Sequence, residues 1–265
     1  MKKYWSMLKN SFMVGMAYRA HFFFSILGNI IYILLLYFLW RAIYAGSPNS
    51  TINGHTFNES FLYIAMAMGI FSFLQCWTEW GMSREIISGD VIVRLMKPID
   101  YQLSTLFEIA GHSMLNFFLI TIPTILIVLF VFKGSLPIGI NIVYFMVSLF
   151  LAYFINFNLD FSIGLTAFKT ESIWGISTTK EVVVLFFSGA SIPLYFFPDF
   201  LVQITSYLPF QAIYHTPLTL LLNPGLPIAD VVKMLVIQLF WIVTLMVLAR
   251  LLFIRSSRVL MINGG

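Results

Sequence analysis

The chain has 265 residues, of which 60% are hydrophobic and 10% are charged, and its formal net charge is +4. Ordinary soluble domains contain roughly 45–50% apolar and about 25% charged residues, so this composition excludes a water-soluble globular fold. The Lys and Arg residues lie at the ends of apolar stretches of about 20 residues, the length of a membrane-crossing helix, and form no basic stripe with interleaved aromatics. The chain is therefore predicted to be an all-α polytopic membrane protein, and nucleic acid is excluded as a partner.

The N-terminal segment is predicted to be an amphipathic helix lying at the membrane interface. Residues 3–18 place Trp5, Leu8, Phe12 and Met16 at helical spacing, and the lysines fall on another side of the helix. The alternative is that this segment only extends the first membrane span.

Six membrane spans are predicted, because six apolar stretches are separated by polar or proline-rich segments. In chain order they cover about residues 21–40, 61–80, 103–132, 140–168, 182–197 and 231–253. Pro123 should kink the third span, since proline cannot donate the helical hydrogen bond. No internal repeat or linker stands out, so residues 1–265 are treated as one domain.

Prolines interrupt the chain too often between residues 189 and 230 for one straight span. Two short interfacial or re-entrant helices are predicted there, shielded by protein because irregular backbone is costly in lipid. The residues that mark this region are Gly189, Pro193, Pro198 and Pro209.

The distribution of Lys and Arg predicts the orientation. With six spans, one side would hold twelve of the 15 Lys and Arg residues. The three on the other side are Arg41, Lys133 and Lys233. Cytoplasmic loops are enriched in Lys and Arg, so both termini and the segments 83–100 and 169–181 are predicted to be cytoplasmic. Residues 189–230 would then lie on the outer side.

The segment 83–100 is the most informative of the predicted cytoplasmic stretches. Charged residues alternate there with Ile, Val, Leu and Met, with a break at Gly89 and a stop at Pro98. Such a short amphipathic element can dock a soluble partner; the alternative is a solvated loop held at lipid headgroups by its basic residues. The sequence contains no G-x-x-x-x-G-K-[ST] motif, so a phosphate-cradling loop of that kind would have to lie on another chain.

Seven short motifs stand in order along the chain. They are Tyr18-Arg-Ala20, Ile87-Ser-Gly-Asp90, Leu95-Met-Lys-Pro98, Ser188-Gly189 through Ile192-Pro193 to Phe197-Pro198, Leu208-Pro-Phe210, Tyr214-His-Thr-Pro217 and Gly264-Gly265. In this order and spacing they resemble the permeases of type-2 ABC exporters, in particular a bacterial branch of permeases encoded beside an ATPase and a second permease.

The resemblance implies a six-helix permease subunit in the plasma membrane of a bacterium, with a coupling element after the second helix and outer re-entrant helices before the sixth. It implies an exporter that pairs with itself or with a sister permease, and cytoplasmic ATPase subunits that bind ATP and Mg²⁺. The permease itself would be no enzyme and would hold no cofactor or metal. The motifs imply five candidate contacts with the ATPase: Gly89, Asp90, Leu95, Lys97 and Pro98. The charge pattern adds Arg84 and Arg94. The segment is shorter and less acidic than in lipid-exporting relatives.

Several ionisable residues fall within or at the edge of the predicted spans, where each needs a partner. Glu108 and His112 are four residues apart and share a helix face, so they could pair as a gate or a proton-sensitive contact. The alternative is that Glu108 lies at the cytoplasmic interface. Asp160, with Asn156 nearby, indicates either a polar translocation surface or a hydrogen bond between helices. Glu79 is the fourth ionisable residue within or at the edge of a predicted span.

Two other functions remain open from the sequence. A secondary transporter would usually show inverted repeats with broken helices at matched positions, but proline-broken helix occurs only late in this chain. A membrane-embedded enzyme that modifies lipids would need clustered catalytic groups, and the four histidines are scattered. Both alternatives predict activity without an ATPase subunit.

Overall fold

The computed structural model describes residues 2–47, 51–132, 136–137 and 139–263, and only the backbone of Arg19 and of residues 259–263. Lys133 and the Gly264-Gly265 motif lie outside the described residues. The described part of the chain is almost entirely helical. Its α-helices are α1 (Lys2–Gly15), α2 (Arg19–Ala45), α3 (Phe57–Leu74), α4 (Thr78–Ser88), α5 (Val91–Leu95), α6 (Tyr101–Asn116), α7 (Ile122–Val131), α8 (Asn141–Gly164), α9 (Trp174–Phe187), α10 (Asp199–Ser206), α11 (His215–Leu222) and α12 (Ile228–Asn263).

The remaining regular elements are short. A π-helical segment, Phe117–Thr121, joins α6 to α7. A two-stranded antiparallel hairpin, β1 (Thr51–Ile52) and β2 (His55–Thr56), precedes α3. Single 3-10 turns occur at Leu165–Phe168, Leu194–Phe196 and Phe210–Ala212. We call the end of the helix bundle that carries β1 and β2 the hairpin end.

Five helical stretches of the described residues are long and apolar enough to cross a membrane. They are Ala20–Ala45, Phe57–Ser88, Tyr101–Val131, Asn141–Phe168 and Ile228–Arg258. Each coincides with a predicted span, and all except Asn141–Phe168 extend beyond it at one or both ends. The chain is therefore an all-α, multi-pass membrane protein, as its composition predicts.

The predicted fifth span, 182–197, does not form one helix. α9 ends at Phe187, Gly189 adopts a φ of 79°, and Pro193 begins a 3-10 turn. Glycine in this left-handed conformation commonly ends a helix, and proline lacks the amide hydrogen that would continue it. The segment 169–181, predicted from its polarity to be cytoplasmic, is helical from Trp174 onward, where it forms the first half of α9. The 14 residues of α9 cover about 21 Å, less than the roughly 30 Å of a bilayer core.

The proline-rich region contains two short α-helices, α10 and α11, as the sequence predicts. Pro198 immediately precedes α10. The first amides of a helix have no hydrogen-bond partner within it, so the missing amide hydrogen of proline costs nothing at this position. Pro209 is buried and precedes the 3-10 turn that leads toward α11.

Two of the long stretches are not continuous α-helices. The third is interrupted by the π-helical segment directly before Pro123, so the irregularity lies where proline removes a hydrogen bond. The second is broken between α3 and α4, where Trp77 has a left-handed φ of 49°. The amide of Asn156, on α8, donates to the carbonyl oxygen of Leu74 at 2.8 Å and satisfies the broken end of α3.

α8 lies at the centre of the bundle and packs against α3, α4, α11 and α12. The contact between α8 and α12 is fixed by Gln238 of α12, whose amide side chain is fully buried. Its Nε2 group donates to the carbonyl oxygens of Ser148 (3.1 Å) and Ala212 (2.8 Å), and the hydroxyl of Ser148 donates to its Oε1 at 2.9 Å. Both amide hydrogens and the carbonyl oxygen are therefore satisfied inside the bundle.

α1, the helix predicted over residues 3–18, packs along α6. The closest approach is at Gly111, where a Cβ atom would lie 2.3 Å from the carbonyl oxygen of Leu8. At the end of α1, a Cβ on Gly15 would lie 2.9 Å from Leu115 and 3.4 Å from His112. The two helices can therefore touch only because both positions lack a side chain.

Candidate functional site

The segment 83–100 forms a compact turn between the second and third long stretches, at the end opposite the hairpin. It contains the end of α4, the short helix α5 and the turn that leads into α6. Gly89 separates α4 from α5 with a φ of 82°, a conformation that glycine adopts without strain. The hydroxyl of Ser88 donates to the carboxylate of Asp90 at 2.7 Å, which closes the same turn.

Arg94 joins three helices through its guanidinium group. One nitrogen lies 2.6 Å from the carboxylate of Glu85 on α4, and another lies 2.6 Å from the carboxylate of Glu108 on α6. The hydroxyl of Tyr101 donates to the second oxygen of Glu85 at 3.1 Å. Because the Arg94 side chain is largely buried, these charge-assisted hydrogen bonds hold α5 firmly against α4 and α6.

Asp100 ties the end of the segment to three further helices. Its backbone N–H donates to the hydroxyl of Tyr4, on α1, at 3.0 Å. Its carboxylate accepts the N–H of Leu103 at 2.9 Å as the cap of α6, and forms an ion pair with Arg250 on α12. A displacement of the segment must therefore move α1, α6 and α12 or break these contacts.

The surface of the segment carries an exposed patch of apolar residues, Ile87, Ile92, Val93 and Met96. Met96 is 81% exposed and Val93 62% exposed. Arg84, Asp90, Lys97 and Pro98 are also exposed, whereas Leu95 is partly buried and packs against the core. Most of the sequence-predicted contact residues thus lie together at one surface, with Leu95 and Arg94 turned inward.

A cavity of about 730 Å³ opens between α1, the segment 83–100 and α6. Glu108 and His112 both line it, but Glu108 contacts Arg94 and makes no hydrogen bond with His112 in the described structure. Of the two alternatives for Glu108, the pairing with His112 is therefore absent from the described structure. Arg94 is a permanent cation with fixed donor geometry, which makes it the stronger partner for a carboxylate.

A second group of charges lies inside the bundle. The ammonium group of Lys180, on α9, is 2.9 Å from Oε1 of Glu79 on α4 and 2.7 Å from Oδ1 of Asp160 on α8. The hydroxyl of Ser177 donates to the same oxygen of Glu79 at 2.8 Å. The side chains of Asp160 and Asn156 both form hydrogen bonds across helices, as in one of the two alternatives for them. We call Glu79, Asp160 and Lys180 the buried charge cluster.

The residues marked in the proline-rich region lie at the hairpin end, away from both charged groups. A Cβ on Gly189 would lie 3.0 Å from Leu194 and from the hydroxyl of Tyr63, so the turn after α9 packs closely on α3. A cavity of about 590 Å³ opens nearby, lined by Tyr63, Tyr195 and His215 among others.

Sequence reasoning missed three residues that organise these sites: Glu85, Asp100 and Lys180. Two carboxyl groups in apolar surroundings require a nearby cation, and Lys180 could have been recognised as that cation. Its polar neighbours instead indicated a segment outside the membrane. Among the described residues, no group of three or more His, Cys, Asp and Glu side chains could hold a metal ion.

Replacing Arg94 by methionine should lower the stability of the segment, since Glu85 and Glu108 would lose their shared cation. Because Glu108 is half-exposed and water partly replaces the contact, we expect a loss of about 1–2 kcal/mol. Thermal unfolding of the purified chain in detergent measures it. Arg84→Met is the matched control, because Arg84 is exposed and bonds only weakly to its own helix. An equal effect of the two substitutions would contradict the structural role of Arg94.

Comparison with known proteins identifies one family. A family model described as "ABC-2 family transporter protein" matches residues 30–264, so the match begins within α2 and covers most of the chain. No curated protein and no solved structure matches the chain significantly.

Proposed function

Because the chain belongs to the ABC-2 transporter family and is a multi-pass permease of an ABC transporter, we propose that it is an export permease driven by separate ATPase subunits. The proposal places the ATPase contact at the segment 83–100. The exposed apolar patch on that segment supports it, because exposed apolar residues at the centre of a polar surface are typical of a protein contact.

The contacts of the segment suggest how force would pass into the membrane. ATP and Mg²⁺ would bind to the partner subunits, whose closure would push on the patch. Arg94 would carry the displacement to α6, and Asp100 would carry it to α1 and α12. The helices would then repack so that a path opens between two permeases, either two copies of this chain or this chain and a sister chain. This chain would do no covalent chemistry and would hold no cofactor.

The membrane arrangement that we propose has six crossings, with both termini in the cytoplasm of a bacterial cell. α9 and the turns that follow it would make a short, protein-enclosed fifth crossing. Its first half bonds to α4 and α8, and the turn after it packs on Tyr63 at the hairpin end. α10 and α11 would be the outer re-entrant helices. α1 would lie in the cytoplasmic interface, with Lys2, Lys3 and Lys9 exposed toward lipid headgroups.

The docking proposal predicts that acidic substitutions in the patch release the ATPase. The tagged chain would be purified from its native membrane in mild detergent, as wild type and as the Val93→Glu, Met96→Glu double variant. We expect an ATPase subunit to co-purify with the wild type and to be lost from the double variant, because both side chains are exposed and their removal costs the fold little. This pair is preferable to a substitution of Gly89, whose positive φ strains other residues.

The control is Tyr207→Glu, which changes an equally exposed apolar residue at the hairpin end, 80% exposed. It should keep the ATPase. Loss of the ATPase from both variants would argue against a specific contact at the patch. A wild-type chain that purifies with no ATPase subunit would favour a secondary transporter or a membrane-embedded lipid-modifying enzyme.

A further inference from the structure

The buried charge cluster contains two acidic groups and one basic group. The side chains of Glu79 and Asp160 are each 1% exposed, and that of Lys180 is 12% exposed. Both carboxyl groups lie within one hydrogen-bond length of the same ammonium nitrogen. If all three groups were ionised, the cluster would carry one uncompensated negative charge.

Such a charge is costly in this position. Two carboxylates that share one site in low-dielectric surroundings do not both remain ionised, because desolvation and mutual repulsion both favour binding of a proton. The other titratable groups that face the cluster are the Cys76 thiol and the hydroxyls of Tyr153 and Tyr214, which supply no positive charge. Glu181, next to Lys180 in the chain, accepts a hydrogen bond from Gln75 instead.

The hydrogen bonds distinguish the two carboxyl groups. Oε2 of Glu79 is buried and has no hydrogen-bond partner among the described residues, while Oε1 accepts bonds from Lys180 and Ser177. An ionised carboxylate with one bare, buried oxygen is less stable than a neutral carboxylic acid in the same place. Asp160 has the shorter contact with Lys180, at 2.7 Å.

We propose that Glu79, Asp160 and Lys180 form a proton-binding site, in which the two carboxyl groups share one proton beside the ammonium group of Lys180. The proton is released when α4 moves: the two carboxyl groups separate, water reaches them, and the proton passes to water. This release step rests on the proposed function, because it requires the ATPase to displace the segment 83–100. The binding step does not require it.

The position of Glu79 connects the site to that segment. Glu79 is the second residue of α4, and α4 runs directly into the turn at Gly89. At Gly164 on α8, a Cβ would lie 2.9 Å from Met82 and 3.1 Å from the Cα of Glu79. Because α4 lies this close to α8, a displacement of α4 along or away from α8 must change the contact between Glu79 and Lys180.

Infrared spectroscopy of the purified full-length chain in lipid nanodiscs tests the binding step without any partner. A protonated carboxylic acid has a carbonyl stretching band distinct from that of a carboxylate. At neutral pH we expect this band in the wild type and its loss in both Glu79→Gln and Asp160→Asn, because removal of either acid leaves a neutral pair with Lys180. Glu171→Gln, which changes an exposed carboxylate, is the control and should leave the band intact.

Two results would overturn the proton site: no such band in the wild type, or a band that survives in both cluster variants. The release step is tested separately, by the pH dependence of ATP hydrolysis in the assembled complex. Hydrolysis by the wild type should rise with pH across the neutral range, since release of the proton becomes easier, and the Asp160→Asn complex should lack this rise. An unchanged profile would overturn the release step. A complex that does not assemble at all would instead refute the proposed function, while the infrared result would stand.

Discussion

Replacing Lys180 by methionine should destabilise the chain by about 3–5 kcal/mol, the loss typical of a buried ion pair deprived of one partner. Methionine fills similar volume but leaves Glu79 and Asp160 without a cation inside the bundle. Thermal unfolding in detergent, followed by loss of helical circular dichroism, measures the change. Lys169→Met is the control, because Lys169 is exposed and near in sequence, and it should unfold as the wild type does.

A second substitution identifies the cause of that loss. In the Lys180→Met, Asp160→Asn double variant the excess negative charge is smaller, so the chain should recover part of the stability. Unfolding of Lys180→Met should also approach that of the wild type as the pH is lowered, because a proton then neutralises the carboxylate that has lost its cation. A Lys180→Met chain as stable as the wild type would show that the cluster does not hold α4, α8 and α9 together.

Replacing Gly111 by alanine should separate α1 from α6. The new Cβ would lie 2.3 Å from the carbonyl oxygen of Leu8 and 3.1 Å from the backbone nitrogen of Phe12, and a backbone cannot yield as a flexible side chain does. Overpacking of this kind costs about 1–3 kcal/mol. We expect a lower unfolding temperature and faster proteolytic removal of α1 from the purified chain.

Gly81→Ala is the matched control for this prediction. Gly81 lies inside α4, and an added Cβ there meets no atom within 4 Å. Alanine favours the helix over glycine by about 1 kcal/mol, so the control should be as stable as the wild type or slightly more so. Equal behaviour of the two variants would mean that α1 is not held at Gly111.

The membrane spans could be predicted from the sequence where a single long apolar stretch determines the helix. α2, α8 and α12 are such cases, since the cost of leaving backbone groups unpaired in lipid requires a helix over the whole stretch. The break before Trp77 could not be predicted, because residues 75–77 contain neither glycine nor proline. It depends on a tertiary hydrogen bond from Asn156, 82 residues away from Leu74 in the chain.

The candidate sites could be predicted only where a local sequence pattern marks them. The alternation of charged and apolar residues in 83–100 indicates an exposed surface, and Gly89 marks its turn. The partners of Arg94 stand nine and 14 residues away, on other helices, so no helical spacing reveals them. Glu108 and His112 have helical spacing, but Arg94 competes successfully for the carboxylate. Lys180 could not be paired with Glu79 and Asp160, because its polar neighbours indicate a segment outside the membrane.

The amide of Gln238 also determines the rotational setting of α12. This helix has 36 residues, yet most of the side chains along its membrane-crossing stretch lie outside the protein core, so apolar packing alone would allow it to turn about its axis with little loss. Rotation would break three hydrogen bonds at Gln238 and leave their donors and acceptors unpaired in an apolar interior. The direction in which Val236, Phe240 and Val243 project is thus set by Gln238 on the opposite face, together with the Arg250–Asp100 ion pair. Those outward positions can change in size or shape without altering the azimuth of the helix.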